Sequence, residues 1–132
     1  MIPVAPNGQK TARAAVLGGL AILGDTSKVS TKLPPNTESL TSFVVLSLIG
    51  GGEENFATDA PRFVFECYAK AEVDAEDLAH RVRAALKWAR GREFGGVLVR
   101  WTDTAGPVKF DNPDAASHYR FQFTGELSLA LQ

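Results

Sequence analysis

Four side chains near the carboxyl end of the chain have the types that acid–base or metal chemistry requires. Asp103, Asp111 and Asp114 fall in a predicted loop at residues 103–117, and His118 follows it directly. Carboxylates beside an imidazole could hold a cation or act as general acid and base. The stretch also contains Pro107, a second proline and a glycine, and aspartates in such stretches usually bond to nearby backbone. Turn formation is therefore the favoured interpretation, and a ligand or acid–base site is the alternative.

The other reactive side chains lack the spacing of a catalytic or metal-binding motif. Cys67, the one cysteine in the chain, alternates with Phe63 and Phe65 and is predicted to be buried as a small apolar residue. His80 follows Glu76 by one helical turn, which favours an exposed side-chain pair. No serine has the glycine neighbours of a nucleophile elbow. We therefore expect no catalytic residue, no metal site and no cofactor, and hence a protein that is not an enzyme.

A run of three glycines indicates a flexible loop rather than a phosphate-binding one. Phosphate-cradling loops continue into lysine and serine or threonine at the start of a helix. This run continues into two glutamates, which would repel a phosphate. The segment is predicted to be a hairpin-like loop that contacts a partner protein. Its residues are Gly50, Gly51, Gly52, Glu53, Glu54 and Asn55.

The composition is that of one near-neutral globular domain. The chain has 132 residues, 45% of them hydrophobic, and a formal net charge of -1. It can bury a core, but it lacks the basic excess of a tight DNA-binding protein. A single cysteine is compatible with a reducing cytoplasm. The apolar segment 14–24 is too short to span a membrane, and because no small-residue cleavage site follows it, a helix is favoured over a signal peptide.

Hydrophobic periodicity predicts an α+β domain with the element order α-β-β-β-α-β-β. Runs of neighbouring strands favour a mostly antiparallel sheet with the helices packed on one face. Residues 1–8, which contain two prolines and a glycine, are predicted to be an extended arm. The helices are placed at 9–23 and 75–89, the second with Asp74 as its N-cap and Val73 packed on Leu78. The strands are placed at 29–32, 42–49, 62–70, 97–102 and 118–131.

The strand at 42–49 is apolar on both faces. This pattern is typical of a central strand that is covered twice or of a strand in a subunit interface. Val44, Leu46 and Leu48 share one of its faces. We expect these three side chains to lie in a contact between subunits.

A short stripe of basic residues runs along the later turns of the second predicted helix. Its members are Arg83, Lys87 and Arg90. Such a stripe is ordinarily a solvated face, and weak contact with passing DNA is the more specific interpretation.

Several short segments resemble one family of virion proteins. They are VSTKLP at 29–34, TDAPRFVFECYA at 58–69 ahead of a helix that begins near EDLA at 76–79, GPVKF at 106–110 and YRFQF at 119–123. In this combination the sequence resembles the tail-terminator proteins of siphophages, especially those of phages that infect actinobacteria. The resemblance extends over residues 29–131.

The resemblance implies a ring, commonly of six subunits, at the head-proximal end of the tail tube. Such a ring stops polymerisation of the tube protein, offers a docking surface to head-completion proteins and lets genomic DNA pass through its lumen. The chain would then be assembled in the host cytoplasm and reside in the virion, at the junction of tail and neck. Besides the glycine-rich loop, the residues expected to touch partners are Pro107, Asp111, Asn112 and Asp114.

Two alternatives remain open at this point. The chain could be another neck or tail-completion protein, since these share small α+β folds. It could also be a cytoplasmic enzyme or ligand-binding domain that uses the stretch from Asp103 to His118, because a fold alone does not decide function.

Overall fold

The computed structural model describes residues 2–131. Within this range the chain forms two helices, six strands and two short 3-10 turns. In chain order the elements are α1 (Gly8–Ile22), β1 (Lys28–Ser30), β2 (Ser42–Asn55), β3 (Thr58–Ala69), α2 (Glu72–Trp88), β4 (Glu93–Phe94), β5 (Val97–Lys109) and β6 (Tyr119–Ala130), with the 3-10 turns at Thr37–Ser39 and Pro113–Ala115. The predicted α+β class is confirmed.

The six strands form one mixed sheet in the order β1-β2-β3-β6-β5-β4. The expected mostly antiparallel sheet is corrected here, because β1 runs parallel to β2 while the other neighbours are antiparallel. A parallel pair needs a crossing connection rather than a hairpin, and residues 31–41 supply it. The predicted order also omitted β4, which is too short to give a periodic signal.

One face of the sheet carries both helices and the main core. Phe65 lies at its centre, with its ring stacked on Phe123 at 5.3 Å and edge-on to Trp101 at 5.5 Å. The predicted apolar stripe of α2 is confirmed as buried. It consists of Ala75, Leu78, Val82, Ala85, Leu86 and Ala89.

The two helices touch most closely at a glycine of α1. A Cβ atom added to Gly19 would lie 2.3 Å from the Cβ of Ala85 and 2.6 Å from its Cα. Adjacent glycines in a helix, such as Gly18 and Gly19, indicate either a weak helix or the close approach of another backbone. At Gly19 the structure shows the close approach.

The start of α2 differs from the prediction. The helix begins at Glu72 after Ala71, which makes no side-chain cap, so Asp74 is inside the first turn and is not the N-cap. Val73 is 65% exposed and does not staple onto Leu78. The acidic first turn still suits the positive end of the helix dipole.

The three glycines lie within β2 and do not form a loop. Gly50 and Gly51 have φ angles of 134° and 97°, and the pairing with β3 shifts register between Leu48 and Gly50. A Cβ atom on Gly51 would lie 2.3 Å from the carbonyl oxygen of Ala60. Glycine is therefore required for a bulge in a long hairpin, and the chain reverses only after Asn55.

The second apolar face of β2 is covered by the subunit itself. Phe43 stacks on Tyr68 at 4.5 Å, and both pack with Ala115 and Leu40 in a small second cluster. On the helix-bearing face Val44 and Leu46 are fully buried. The prediction that Val44 and Leu46 lie in a subunit interface is therefore wrong, because the fold already covers both faces of the strand at that point. Leu48, the third member, is 51% exposed.

The predicted loop at 103–117 is also shorter than expected. Strand β5 continues to Lys109 and pairs with β6, with register shifts on both sides of Ala105. Pro107 lies at the second shift, where a residue without an N–H is tolerated. The true connection between β5 and β6 is therefore residues 110–118.

Candidate interaction surfaces

The β2–β3 hairpin ends in an aromatic side chain that nothing in the subunit covers. Phe56 at its tip is 98% exposed. The turn is held by the Asn55 side chain, whose Oδ1 accepts a hydrogen bond of 2.8 Å from the backbone N of Ala57. Since β1 pairs with β2 only as far as Val45, the outer edge of the hairpin has no strand beside it within residues 2–131. An unpaired edge next to an exposed ring is a surface suited to protein contact.

The same hairpin is acidic. Glu53 and Asp59 are directly opposite each other in the β2–β3 register, and like charges in that position repel. Glu54 is on the other side of the hairpin, where its Oε1 lies 3.1 Å from an Arg100 nitrogen and accepts from the Ser128 hydroxyl. The predicted contact residues Gly50, Gly51, Gly52, Glu53, Glu54 and Asn55 are all exposed.

The amino-terminal arm precedes α1 without regular secondary structure. Ile2 and Val4 in it are largely exposed. Of the predicted arm 1–8, Met1 lies outside the described residues, and Gly8 is already the first residue of α1. The Asn7 side chain caps the helix by accepting from the backbone N of Lys10 at 3.0 Å.

The basic stripe of α2 faces a carboxylate. Arg83 lies 2.8 Å from Asp103 Oδ2 and Lys87 lies 3.7 Å from the same atom. The other oxygen of Asp103 accepts from the indole N of Trp101 at 2.6 Å. Arg90 is exposed and lines a cleft of about 300 Å³ with Arg100 and other residues. Two of the three predicted DNA-facing side chains are thus partly neutralised within the subunit.

Asp103 and Asp25 tie α2 to its neighbours through ion pairs. Burial disfavours ionisation of Asp103, but the hydrogen bonds from Arg83 and Trp101 outweigh it, so the pKa of Asp103 lies below 3.8. Burial likewise opposes ionisation of Asp25, and hydrogen bonds from Ser27 and Arg81 lower its pKa despite it. Arg81 Nε lies 2.6 Å from Asp25 Oδ2.

These two shifts predict a loss of stability in acid. A carboxylate whose folded pKa is depressed stabilises the fold above its unfolded pKa, and this contribution is lost as pH falls through the folded value. We expect Asp103→Asn to lower the free energy of unfolding by about 1–2 kcal/mol near neutral pH. The deficit should shrink as the pH falls below the ordinary aspartate pKa of about 3.9, because the unfolded parent protein then takes up a proton that the folded carboxylate, with its lowered pKa, still resists. Thermal unfolding from pH 2 to 7 measures this, with the exposed Asp77→Asn as control; a deficit that stays constant with pH would contradict it.

The connection 110–118 is fixed over the face of the sheet opposite the helices. The His118 ring N–H at Nε2 donates to the carbonyl oxygen of Leu40 at 2.6 Å, so Nδ1 accepts from the Ser117 hydroxyl at 2.8 Å. Asp103 pairs with α2 on the helix-bearing face. The structure therefore does not bring Asp103 and His118 together.

Turn chemistry is found in this connection, at Asn112, and not at Asp103, for which it was predicted and whose carboxylate pairs with two bases of α2 instead. The Asn112 Oδ1 accepts from the backbone N of Asp114 at 3.0 Å and caps the short 3-10 turn. Asp111 Oδ1 accepts from the backbone N of Arg120 at 3.3 Å. Asp111 and Asp114 remain exposed. Proline and aspartate in this segment thus shape a turn that stays accessible to a partner.

A buried polar network beneath this connection escaped the sequence analysis. Arg120 alternates with apolar residues in β6, yet it is 9% exposed; its guanidinium lies 3.4 Å from Glu66 and donates to the Phe110 carbonyl. Tyr68 donates to Glu66 at 2.9 Å and accepts from the Asn112 amide at 3.1 Å. Burial raises the pKa of the Tyr68 hydroxyl, and the Glu66 carboxylate adds to this effect. The network holds the connection in place.

An apolar groove lies between the ends of α1 and α2 on the side away from the sheet. It is a cleft of about 240 Å³ lined by Gly19, Ile22, Leu23, Ala84, Ala85 and Trp88. Ile22 is 67% exposed. The guanidinium of Arg92 lies 4.5 Å from the centre of the Trp88 ring, which places a positive charge next to one of the side chains that line the groove.

Metal ligands, membrane-spanning helices and reactive thiols are further features that can indicate a function. Within residues 2–131 no three His, Cys, Asp or Glu side chains are grouped so as to hold a metal ion. In the same range no helix is both long and apolar enough to cross a membrane. Cys67 is fully buried as expected, and burial raises the pKa of its thiol. No protein-family model matches the sequence, and no curated protein matches it significantly.

Proposed function

We propose that this protein is a structural subunit of a phage tail that assembles into a closed ring, commonly of six copies, and acts as the tail terminator. The ring caps the tail tube, ends polymerisation of the tube protein and joins the tail to the head-completion proteins. It is assembled in the host cytoplasm and resides at the tail–neck junction of the virion. The family resemblance of residues 29–131 supplies the specific role.

One structural observation carries the assembly part of the proposal. Large apolar side chains are exposed at several places, among them Phe56 on the β2–β3 hairpin and the neighbouring Ile22 and Leu23 at the helix groove. Ile22 and Leu23 form an apolar group beside the groove, and Phe56 lies next to an unpaired strand edge; both settings suit protein contact. Two unlike surfaces on one subunit suit a head-to-tail contact, which generates a ring when the rotation closes.

The charge distribution supports a conduit for DNA. The net charge is -1, and Asp103 offsets Arg83 and Lys87. Each additional phosphate contact would strengthen binding to DNA and slow its passage. A lumen that DNA must traverse should therefore make only transient, non-specific contacts, for which Arg90 is the best placed of the three bases.

The alternatives differ in how well the geometry supports them. Another neck or tail-completion protein would use the same surfaces and would differ only in its position in the particle. An enzyme that uses Asp103 with His118 is less well supported, because these side chains lie on opposite faces of the sheet and each is bound to other groups.

The position and copy number of the chain in the particle test the proposal. We expect electron microscopy of purified virions to show this chain as a ring of several copies between the last tube ring and the neck. Tails isolated without heads should carry the same ring at one end, which provides an internal control. Absence of the chain from this junction, or its presence there as a single copy, would contradict the proposal.

A further inference from the structure

The β2–β3 hairpin ends in one exposed apolar side chain, and the α1–α2 groove is a small apolar cleft. A groove of about 240 Å³ is smaller than the cavities of about 300–1,000 Å³ that accept drug-sized ligands. It suits a single large side chain. Phe56 is such a side chain, and it is 98% exposed at the end of the hairpin.

The charges beside the two features are opposite. Glu53 and Asp59 are cross-strand neighbours close to the tip, and neither is in an ion pair with a base among residues 2–131. Arg92 lies over the aromatic wall of the groove, and it too has no carboxylate partner within the described part of the chain. A cation from outside would relieve the repulsion between the two acids.

We propose that the Phe56 tip of one subunit inserts into the α1–α2 groove of a second copy of this chain. The ring of Phe56 packs against Trp88 between Ile22 and Leu23, and the acidic pair behind the tip approaches Arg92. The contact is head-to-tail, because donor and acceptor are different surfaces. The proposal rests on the proposed function insofar as that function is a ring of like subunits, and it names the contact between them.

Directed cross-linking tests this contact even where free subunits associate weakly. Cys67 is fully buried, so single cysteines can be added to the parent protein. Ala57→Cys places a thiol beside the tip and leaves Phe56 intact, whereas Ala84→Cys places one in the groove. Val73→Cys puts a matched thiol on an exposed part of α2 that is outside the groove.

We expect the mixture of A57C and A84C to form disulfide-linked dimers at least about tenfold faster than A57C with V73C, because binding raises the effective concentration of the two thiols. Adding Phe56→Ala to A57C should remove this advantage, although the fold is unchanged because Phe56 makes no core contact. Equal cross-linking rates for A84C and V73C would overturn the proposal. So would a rate for A57C with A84C that does not change when Phe56→Ala is added. Cross-linking of A57C chiefly to itself would also overturn it, since that indicates tip-to-tip pairing.

The outcome is separable from that of the proposed function. Cross-linking reports on the contact in purified protein, whereas electron microscopy of the virion reports on location and copy number. A ring at the tail–neck junction without the predicted cross-link would contradict the proposed contact and support the proposed function. The cross-link without a ring at that junction would support the contact and contradict the function.

Discussion

Replacing Phe65 with alanine should lower the free energy of unfolding by about 3–5 kcal/mol. Phe65 is fully buried, and its ring is packed against both Phe123 and Trp101. Truncation removes the transfer free energy of the ring and leaves a cavity between strands and helices that cannot close completely. Since domains of this size are stable by only about 5–15 kcal/mol, the variant should have lost a large part of its stability. Urea denaturation followed by circular dichroism measures the change.

The chain contains a matched control for this substitution. Phe56→Ala removes the same atoms from a side chain that is 98% exposed, so the free energy of unfolding should change by less than about 0.5 kcal/mol. The two variants thus separate folding from assembly: the first should unfold easily, while the second should fold normally and fail to bind its neighbour. A loss below about 1 kcal/mol for Phe65→Ala would show that the core is arranged differently.

The parts of the fold that could be predicted are those in which burial imposes a period on the sequence. The apolar stripe of α2 recurs every three to four residues, and the inward side chains of β6, such as Phe121 and Leu127, recur every two. Each pattern marks one buried face, because the residues between the apolar ones are mostly polar. The class of fold and the existence of the long elements follow from such patterns, since they depend only on neighbouring residues in the chain; the limits of β2 and β5 do not, because both strands continue beyond their apolar runs.

The glycine run shows why other features could not be predicted. Gly50 and Gly51 have the composition of a flexible loop, and a loop was the expectation. Their role is decided by a residue that is separate along the chain but adjacent in space: the carbonyl of Ala60 across the hairpin leaves no room for a Cβ atom on Gly51. A bulge and a loop demand the same residue type, so the sequence alone does not distinguish them.

The surfaces were harder to predict than the core for a related reason. Arg120 alternates with apolar residues, a pattern that favours a solvated side chain, but the connection 110–118 folds back over it and Glu66 pairs with it. Likewise the pattern at Val44 and Leu46 correctly predicted that these side chains are buried. It did not predict that the same subunit buries them. Whether a face meets solvent, a loop of the same chain or another subunit depends on tertiary packing that a local pattern does not contain.

Phe56 and the helix groove were not predicted as a pair. A lone phenylalanine in a turn, in the segment Asn55–Thr58, is a weak signal because single exposed apolar side chains are common. The signal that could have identified it is its position between acids at the end of two long strands. The groove gave no signal at all, because Ile22 and Trp88 are separate in sequence and each fits a helix facing a core.

The largest expected effect concerns the length of the tail. The proposed function predicts that deletion of the gene gives tail tubes of uncontrolled length that do not join heads, while the heads still package DNA. Electron microscopy of lysates measures tube lengths and the fraction of joined particles. Supplying the intact chain from a plasmid is the control, and it should restore uniform tails and joining.

The expected loss of length control follows from the way in which a polymer with one repeated contact grows. A tube grows because each added ring exposes the same surface that it has just bound, so growth ends only when a subunit binds the tube and presents a different surface in its place. This chain has unlike features to present, an acidic hairpin with Phe56 at its tip and a turn-rich connection with Asp111 and Asp114 exposed. Addition of the purified protein to a deletion extract should therefore cap growing tubes and allow heads to attach. Tails of normal length that are already joined to heads in the deletion would mean that another protein ends the tube.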